Sequence, residues 1–201
     1  MKPVIKNLLI SFAVVFAISF GLGLLERMND ISFGTSSTVL PMGLGLVTFF
    51  ILHMMSGNRK EVRVDNASRQ ASLSAVAPAG HALLYIYREG FMGKAVGWNV
   101  SLDGAALAQL RSPRFTQTSI SPGIHTLTVA LSGFAGSQNK PAEMKFEAQA
   151  GEVIVFAMKS KMGALSNTLS FERELDPQAA LQKFSRMTMV AAEPAAGVPA
   201  A

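Results

Sequence analysis

The chain divides by its pattern of apolar and polar positions. From Leu8 to Leu25 none of 18 residues is charged, and none of the 17 from Val39 to Met55, counting His53 as neutral. Neither stretch keeps the polar stripe of a helix packed on a water-facing core. At the rise of an α-helix each reaches about 26 Å, close to the thickness of a bilayer's hydrocarbon core. The pattern predicts a two-helix transmembrane anchor over residues 1–56, with spans at about 7–26 and 38–56. A cleaved signal peptide fits less well, because the first apolar stretch exceeds the about 7–15 residues usual there and no A-x-A-like site follows.

After Met55 the chain turns basic, then rich in Ala and Ser. Residues 57–80 read as a basic juxtamembrane segment and linker, with room for one helical turn. From His81 the period changes to two. Val96, Trp98, Val100 and Leu102 alternate with Gly97, Asn99 and Ser101, as on a half-buried strand. Asp103-Gly104 is a hairpin-turn pair, and Pro122-Gly123 and Ala150-Gly151 mark further turns. Strands are expected at residues 81–87, 96–102, 105–110, 115–120, 124–131, 143–148 and 153–158, with an eighth at 165–173. Short strands at this spacing predict an antiparallel β-sandwich over residues 81–175. Asp176-Pro177 opens a C-terminal helix over 176–190, whose Leu181 and Phe184 share a side suited to docking. Residues 191–201 read as a disordered tail.

Composition sharpens the membrane reading. Charged residues make up 15% of the chain, against about a quarter in soluble domains. Basic residues set the orientation. Lys2 and Lys6 precede the first span, the loop carries only Arg27 beside Glu26 and Asp30, and Arg59, Lys60 and Arg63 follow the second. Both termini are therefore expected in the cytoplasm. Beyond residue 56 there are 15 Lys plus Arg and 11 Asp plus Glu, a net of +4, which Arg59, Lys60, Arg63 and Arg69 account for. Arg59, Lys60 and Arg63 are accordingly candidate anionic-lipid contacts. A nucleic-acid partner is not expected, since the sandwich is close to neutral.

Three segments carry a family resemblance. Pro78–Arg88 (PAGHALLYIYR), Val100–Gly104 (VSLDG) and Ser121–Leu127 (SPGIHTL) resemble the opening strand and turn motifs of the bacterial domain-of-unknown-function family 2846, over residues about 78–160. The last two are also similar to PEGA-type repeats. The resemblance implies a small β-sandwich of unassigned activity on exported, often lipid-anchored proteins. This chain has no cysteine to carry such a lipid and has two spans in its place. The charge pattern favours a bacterial inner-membrane protein with a cytoplasmic sandwich, and the resemblance favours a domain facing the periplasm.

Candidate chemistry is sparse. The absence of cysteine excludes disulfides, thiolate catalysis and Cys-based metal sites. His53, His81 and His125 have no metal-ligand spacing, and no Gly-x-Ser-x-Gly elbow is present. No catalytic, metal or cofactor site is expected. Ala13, Ala17 and Gly21 repeat at four, a small-residue stripe suited to packing within the hairpin. Trp98 shares a face with Val96 and Val100 and reads as core. Tyr85 and Tyr87 share one face of their strand, and with Arg88 they are the candidate ligand or partner contacts, provided that face is open to solvent. The function expected is a membrane-anchored binding or scaffolding module with a protein partner, not an enzyme. The alternative is an envelope-facing glycan- or lipid-binding domain using Tyr85 and Tyr87.

Overall fold

A computed structural model describes residues 3–74, 76–90, 94–133, 136, 139–162 and 167–193. The chain forms two compact units, Met1–Ser56 and Gly57–Ala201.

The first unit is a helical hairpin of α1 (Pro3–Asn29) and α2 (Ser36–Met54). Both helices are long and apolar enough to cross a membrane. Positive φ at Asp30 and Gly34 turns the chain between them. Hydroxyls inside the apolar stretches fold back on the helix: Ser11 donates to the Asn7 carbonyl (2.9 Å) and Thr48 to that of Leu44 (2.8 Å), which pairs each donor within its own helix. The helices approach at Gly45, where an added Cβ would lie 2.2 Å from Val15 Cγ2. The small-residue stripe does not form this seam. Ala13 and Ala17 are exposed and a Cβ added to the half-buried Gly21 would meet nothing within 4 Å, whereas Asn7 and Ser11 are buried and Val15, Ile18 and Leu22 half-buried, because the i, i+4, i+7 face from Asn7 lies turned from Ala13.

The second unit is a sandwich of two sheets. One has the order β8 (Asn167–Arg173), β7 (Val153–Met162), β1 (Ala82–Arg88), β4 (Arg114–Ile120), β9 (Thr188–Met189). The other runs β3 (Ala105–Leu110), β2 (Trp98–Leu102), β5 (Gly123–Leu131), β6 (Ala142–Ala148). A helical hairpin plus a mostly antiparallel sandwich is the architecture the residue pattern predicts. Two pairings differ: β1 with β7, and β4 with β9, run parallel. The chain reaches β7 from the opposite sheet, and its turn is tied beside the start of β1 by Gly151 N–H to the His81 carbonyl (2.8 Å) and Leu83 N–H to that of Glu152 (2.8 Å). Asp103 and Gly104 both have positive φ, as a two-residue hairpin turn requires.

Strand β1 is buried at every position because both its faces are covered. Its even-numbered side faces the sandwich core, where Phe146 of β6 meets Phe156 of β7 with ring centroids 5.1 Å apart. Its odd-numbered side lies under a second helix layer. Asp176 caps α4 (Pro177–Phe184) by accepting from Gln178 N–H (3.0 Å) and Ala179 N–H (3.1 Å). Leu181 and Phe184 of α4 join Leu83, Tyr85, Tyr87 and Phe115 in one buried cluster.

The segment expected as a linker is part of the fold. Residues 66–72 form α3 (Asn66–Ser72), capped by Asp65, and Arg63 forms an antiparallel bridge with Val190. The C-terminal helix is shorter than expected, and Thr188–Met189 form β9. The expected disorder does not begin at residue 191. Ala191 N–H donates to the Val62 carbonyl (2.9 Å) and Glu193 N–H to that of Leu107 (2.7 Å), so backbone pairing holds the chain to residue 193. The rest of that tail and residues 163–166 lie outside the described residues.

Candidate binding surface at the start of the β domain

The residues that follow α2 form a strap, Gly57–Val64, stapled to the sandwich by two side-chain amides. Asn58 reaches inward: its Nδ2 donates to the Ala95 carbonyl (2.7 Å) and its Oδ1 accepts from Gly97 N–H (2.8 Å). Gln109 of β3 reaches outward: its Oε1 accepts from Arg59 N–H (2.7 Å) and its Nε2 donates to the Gly57 carbonyl (3.0 Å). Each amide meets the backbone through one N–H and one oxygen, as a neighbouring strand would. The fit leaves no room for side chains at two glycines. A Cβ on Gly57 would lie 2.0 Å from the Gly133 nitrogen, and one on Gly97 would lie 2.5 Å from Gln109 Cδ.

Two residues on, the Glu61 carboxylate is 3% exposed and pairs with Arg111 Nε (2.6 Å) and with Arg114. Burial pushes the Arg114 guanidinium below its usual pKa. Beside the strap lies a cleft of about 250 Å³, with Lys60, Val62, Ala108, Val190 and Ala191 in its lining and Arg59 and Glu193 beside them.

The basic residues of this region divide by partner. Arg59 pairs with Glu193 (2.9 Å) and donates to Asn99 Oδ1 (3.3 Å). Arg69 caps the end of α4, its Nη1 donating to the carbonyls of Phe184 (3.3 Å), Ser185 (2.9 Å) and Met187 (3.4 Å). Lys60 and Arg63 have exposed side chains that make no ion pair among the described residues. Of the three candidate lipid contacts, the structure therefore leaves the charges of Lys60 and Arg63 uncommitted.

Tyr85, Tyr87 and Arg88 do not form an open platform. Tyr85 is 0% exposed and Tyr87 1%, both under Phe184 at ring-centroid distances of 5.7 and 5.3 Å. Their hydroxyls donate to the Ser72 carbonyl and to Glu174. Burial pushes the Tyr85 pKa up to about 12. Burial, then the Glu174 carboxylate, push Tyr87 further. Arg88 points to the other side of β1, its Nη1 donating to the Val96 carbonyl (2.5 Å) and its guanidinium 4.1 Å from the Trp98 ring centre. Burial lowers its pKa to about 10, which leaves it a cation at neutral pH. The rule of alternation that put both tyrosines on one face was sound. What it lacked was the helix 90 residues later that covers them.

The histidines lie apart. His53 stacks on Phe49 within α2, and His81 Nδ1 donates to the Ala79 carbonyl (3.1 Å). His125 sits between the Asp103 carboxylate (2.6 Å) and the Ser121 carbonyl (2.8 Å). Among the described residues no three His, Asp or Glu side chains group to hold a metal.

Sequence reasoning missed Asn58, Glu61, Gln109, Arg111 and Arg114. Nothing local marks Gln109 as a latch. The D-N-A-S run at Asp65 is, by contrast, a readable helix cap.

Residues 78–170 match the family model described as "Protein of unknown function (DUF2846)", which bears out the resemblance carried by the strand and turn motifs. The match runs from just before β1 into β8, and the hairpin, the strap, α3 and α4 lie outside it. No curated protein matches the chain.

Proposed function

We propose that the protein is a membrane-anchored binding module that holds a protein partner along the free edge of β6, on the cytoplasmic side, and performs no chemistry of its own. The observation that carries this reading is the unequal treatment of the sheet edges. At one side of the sandwich, β9 is joined by the strap, and the Leu107 carbonyl of β3 is taken by Glu193 N–H. At the other, β8 and β6 each end a sheet, and among the described residues no backbone hydrogen bond reaches the outer edge of β8 or, with a charged row beside it, of β6. Glu143, Lys145 and Glu147 stand exposed along it. Alternating charge deters indiscriminate edge pairing and selects a strand of complementary charge. The cytoplasmic assignment rests on Lys2 and Lys6 ahead of the first apolar run and on Arg59, Lys60 and Arg63 after the second.

A photo-crosslinking residue at position 145, in intact membranes, tests this. A discrete adduct should form at position 145 and be lost when Glu143 and Glu147 are both changed to Lys. A crosslinker at Leu175, which is 97% exposed, is the reference. Equal labelling at the two sites, or none at 145, would overturn the proposal.

A further inference from the structure

Lys60, Val62 and Arg63 are exposed on the strap, while Glu61 between them turns inward to its two arginines. Val62 is 69% exposed, an apolar side chain held in water between two cations that have no counter-ion among the described residues. The backbone that presents them is fixed on both sides. Gln109 holds Gly57 and Arg59 before them, and Val64 N–H donates to the Met189 carbonyl (3.1 Å) after them. Orientation of the spans requires only a number of basic residues in the flank. It requires neither a fixed conformation nor an exposed valine. Both features match what an interfacial lipid contact uses: cations at the level of anionic headgroups and an apolar residue entering beside them.

We infer that Lys60, Val62 and Arg63 form a docking surface for anionic phospholipid headgroups. The inference rests on reading α1 and α2 as bilayer spans. Lys60 follows the last residue of α2, Met54, by six positions, a reach of at most about 20 Å of extended chain, so the headgroups are within range. Arg59 and Arg69 take no part, since Glu193 and the end of α4 occupy them. Because the strap is already ordered, lipid contact costs it little conformational entropy.

The chain has no cysteine, so Val62→Cys gives a single site for a nitroxide label. The full chain would be placed in nanodiscs of phosphatidylcholine with and without phosphatidylglycerol. Collision with lipid-soluble oxygen would be compared with collision with a water-soluble nickel chelate. Leu46→Cys in α2 and Val76→Cys, which is 76% exposed in the wild-type chain, serve as lipid and water references. In phosphatidylglycerol discs the oxygen-to-nickel ratio at position 62 should exceed that at 76 severalfold. It should fall back to the value at 76 in the Lys60→Glu, Arg63→Glu double variant, whose unchanged signal at 76 reports an intact fold. A label at 62 as aqueous as that at 76 in anionic discs, or one indifferent to charge reversal, would overturn the inference. So would a label shielded from both reagents, which would mean that protein covers the site. An aqueous Leu46 label would overturn the bilayer reading itself, and this inference with it.

Discussion

The imidazole Nδ1 of His125 lies 2.6 Å from the Asp103 carboxylate Oδ2. These are the Asp of the VSLDG turn and the His of the SPGIHTL turn, so two segments that carry the family resemblance lock onto each other. Asp103 completes the link through Oδ1, which accepts from Thr126 N–H (2.8 Å), while His125 Nε2 donates to the Ser121 carbonyl (2.8 Å). Both ring nitrogens thus face acceptors, an arrangement that suits the doubly protonated imidazolium.

The pH dependence of stability follows from this pair. Burial opposes the charge on His125, but the Asp103 and Ser121 hydrogen bonds outweigh it and hold its pKa above the usual 6.5. Burial likewise opposes the Asp103 charge, and the His125 and Thr126 hydrogen bonds outweigh it, holding its pKa below 3.8. The raised histidine contributes stability that is fully present below pH 6.5 and lost as pH rises through its folded value; the lowered carboxyl contributes stability lost as pH falls through its own. The optimum window lies between them, and the melting temperature should decline from weakly acid to alkaline pH. Asp103→Asn keeps the turn and should flatten that decline. The loss is about 1 kcal/mol, below the usual figure for a charged hydrogen bond because Asp103 is half exposed. Thermal melts of both proteins across pH 5–9 would show it; parallel curves would refute the assignment.

Gln109→Ala should loosen the strap without unfolding the sandwich. It leaves the Gly57 carbonyl and Arg59 N–H without their partner, at about 1–3 kcal/mol, and hydrogen exchange at the Arg59 amide should accelerate. Gly57→Ala acts at the same place by crowding the Gly133 backbone, with a cost of about 1–3 kcal/mol. If Arg59 exchange is unchanged in both variants, the strap is held by something else.

Glu61→Gln removes the charge that Arg111 and Arg114 share. Losing one partner of a buried pair costs about 3–5 kcal/mol, and partial exposure of Arg111, at 27%, brings the expectation to about 2–3 kcal/mol. Urea unfolding followed by tryptophan fluorescence would read it through Trp98, the sole tryptophan. A change within experimental error would show that the strap's ion pairs are dispensable.

Phe184→Ala opens the helix layer over β1. Phe184 is fully buried and stacks on Phe115 with ring centroids 4.6 Å apart, so truncation should cost about 3–5 kcal/mol. In the folded variant, acrylamide should quench tyrosine emission more strongly, since Tyr85 and Tyr87 are the only tyrosines. Unchanged quenching would mean that α4 does not shield them.

Whatever depends on neighbours along the chain is legible in the residue pattern. The two long apolar helices follow from unbroken apolar runs, the hairpin at Asp103-Gly104 from a backbone that demands positive φ, the strands from period two, and the start of α4 from Asp176-Pro177. Trp98 could be placed in the core because alternation puts it beside Val100. What covers each surface is settled by contacts between segments far apart in the chain. Tyr85 and Tyr87 lie on the face that alternation assigns, yet whether that face meets solvent depends on Phe184. The strap resembles a linker because Asn58 and Glu61 are polar and carry no period. It is ordered because Gln109, Arg111 and Arg114 arrive about 50 residues later with matching donors and acceptors. Local pattern encodes which way a side chain points; only the folded chain supplies the partner it meets there.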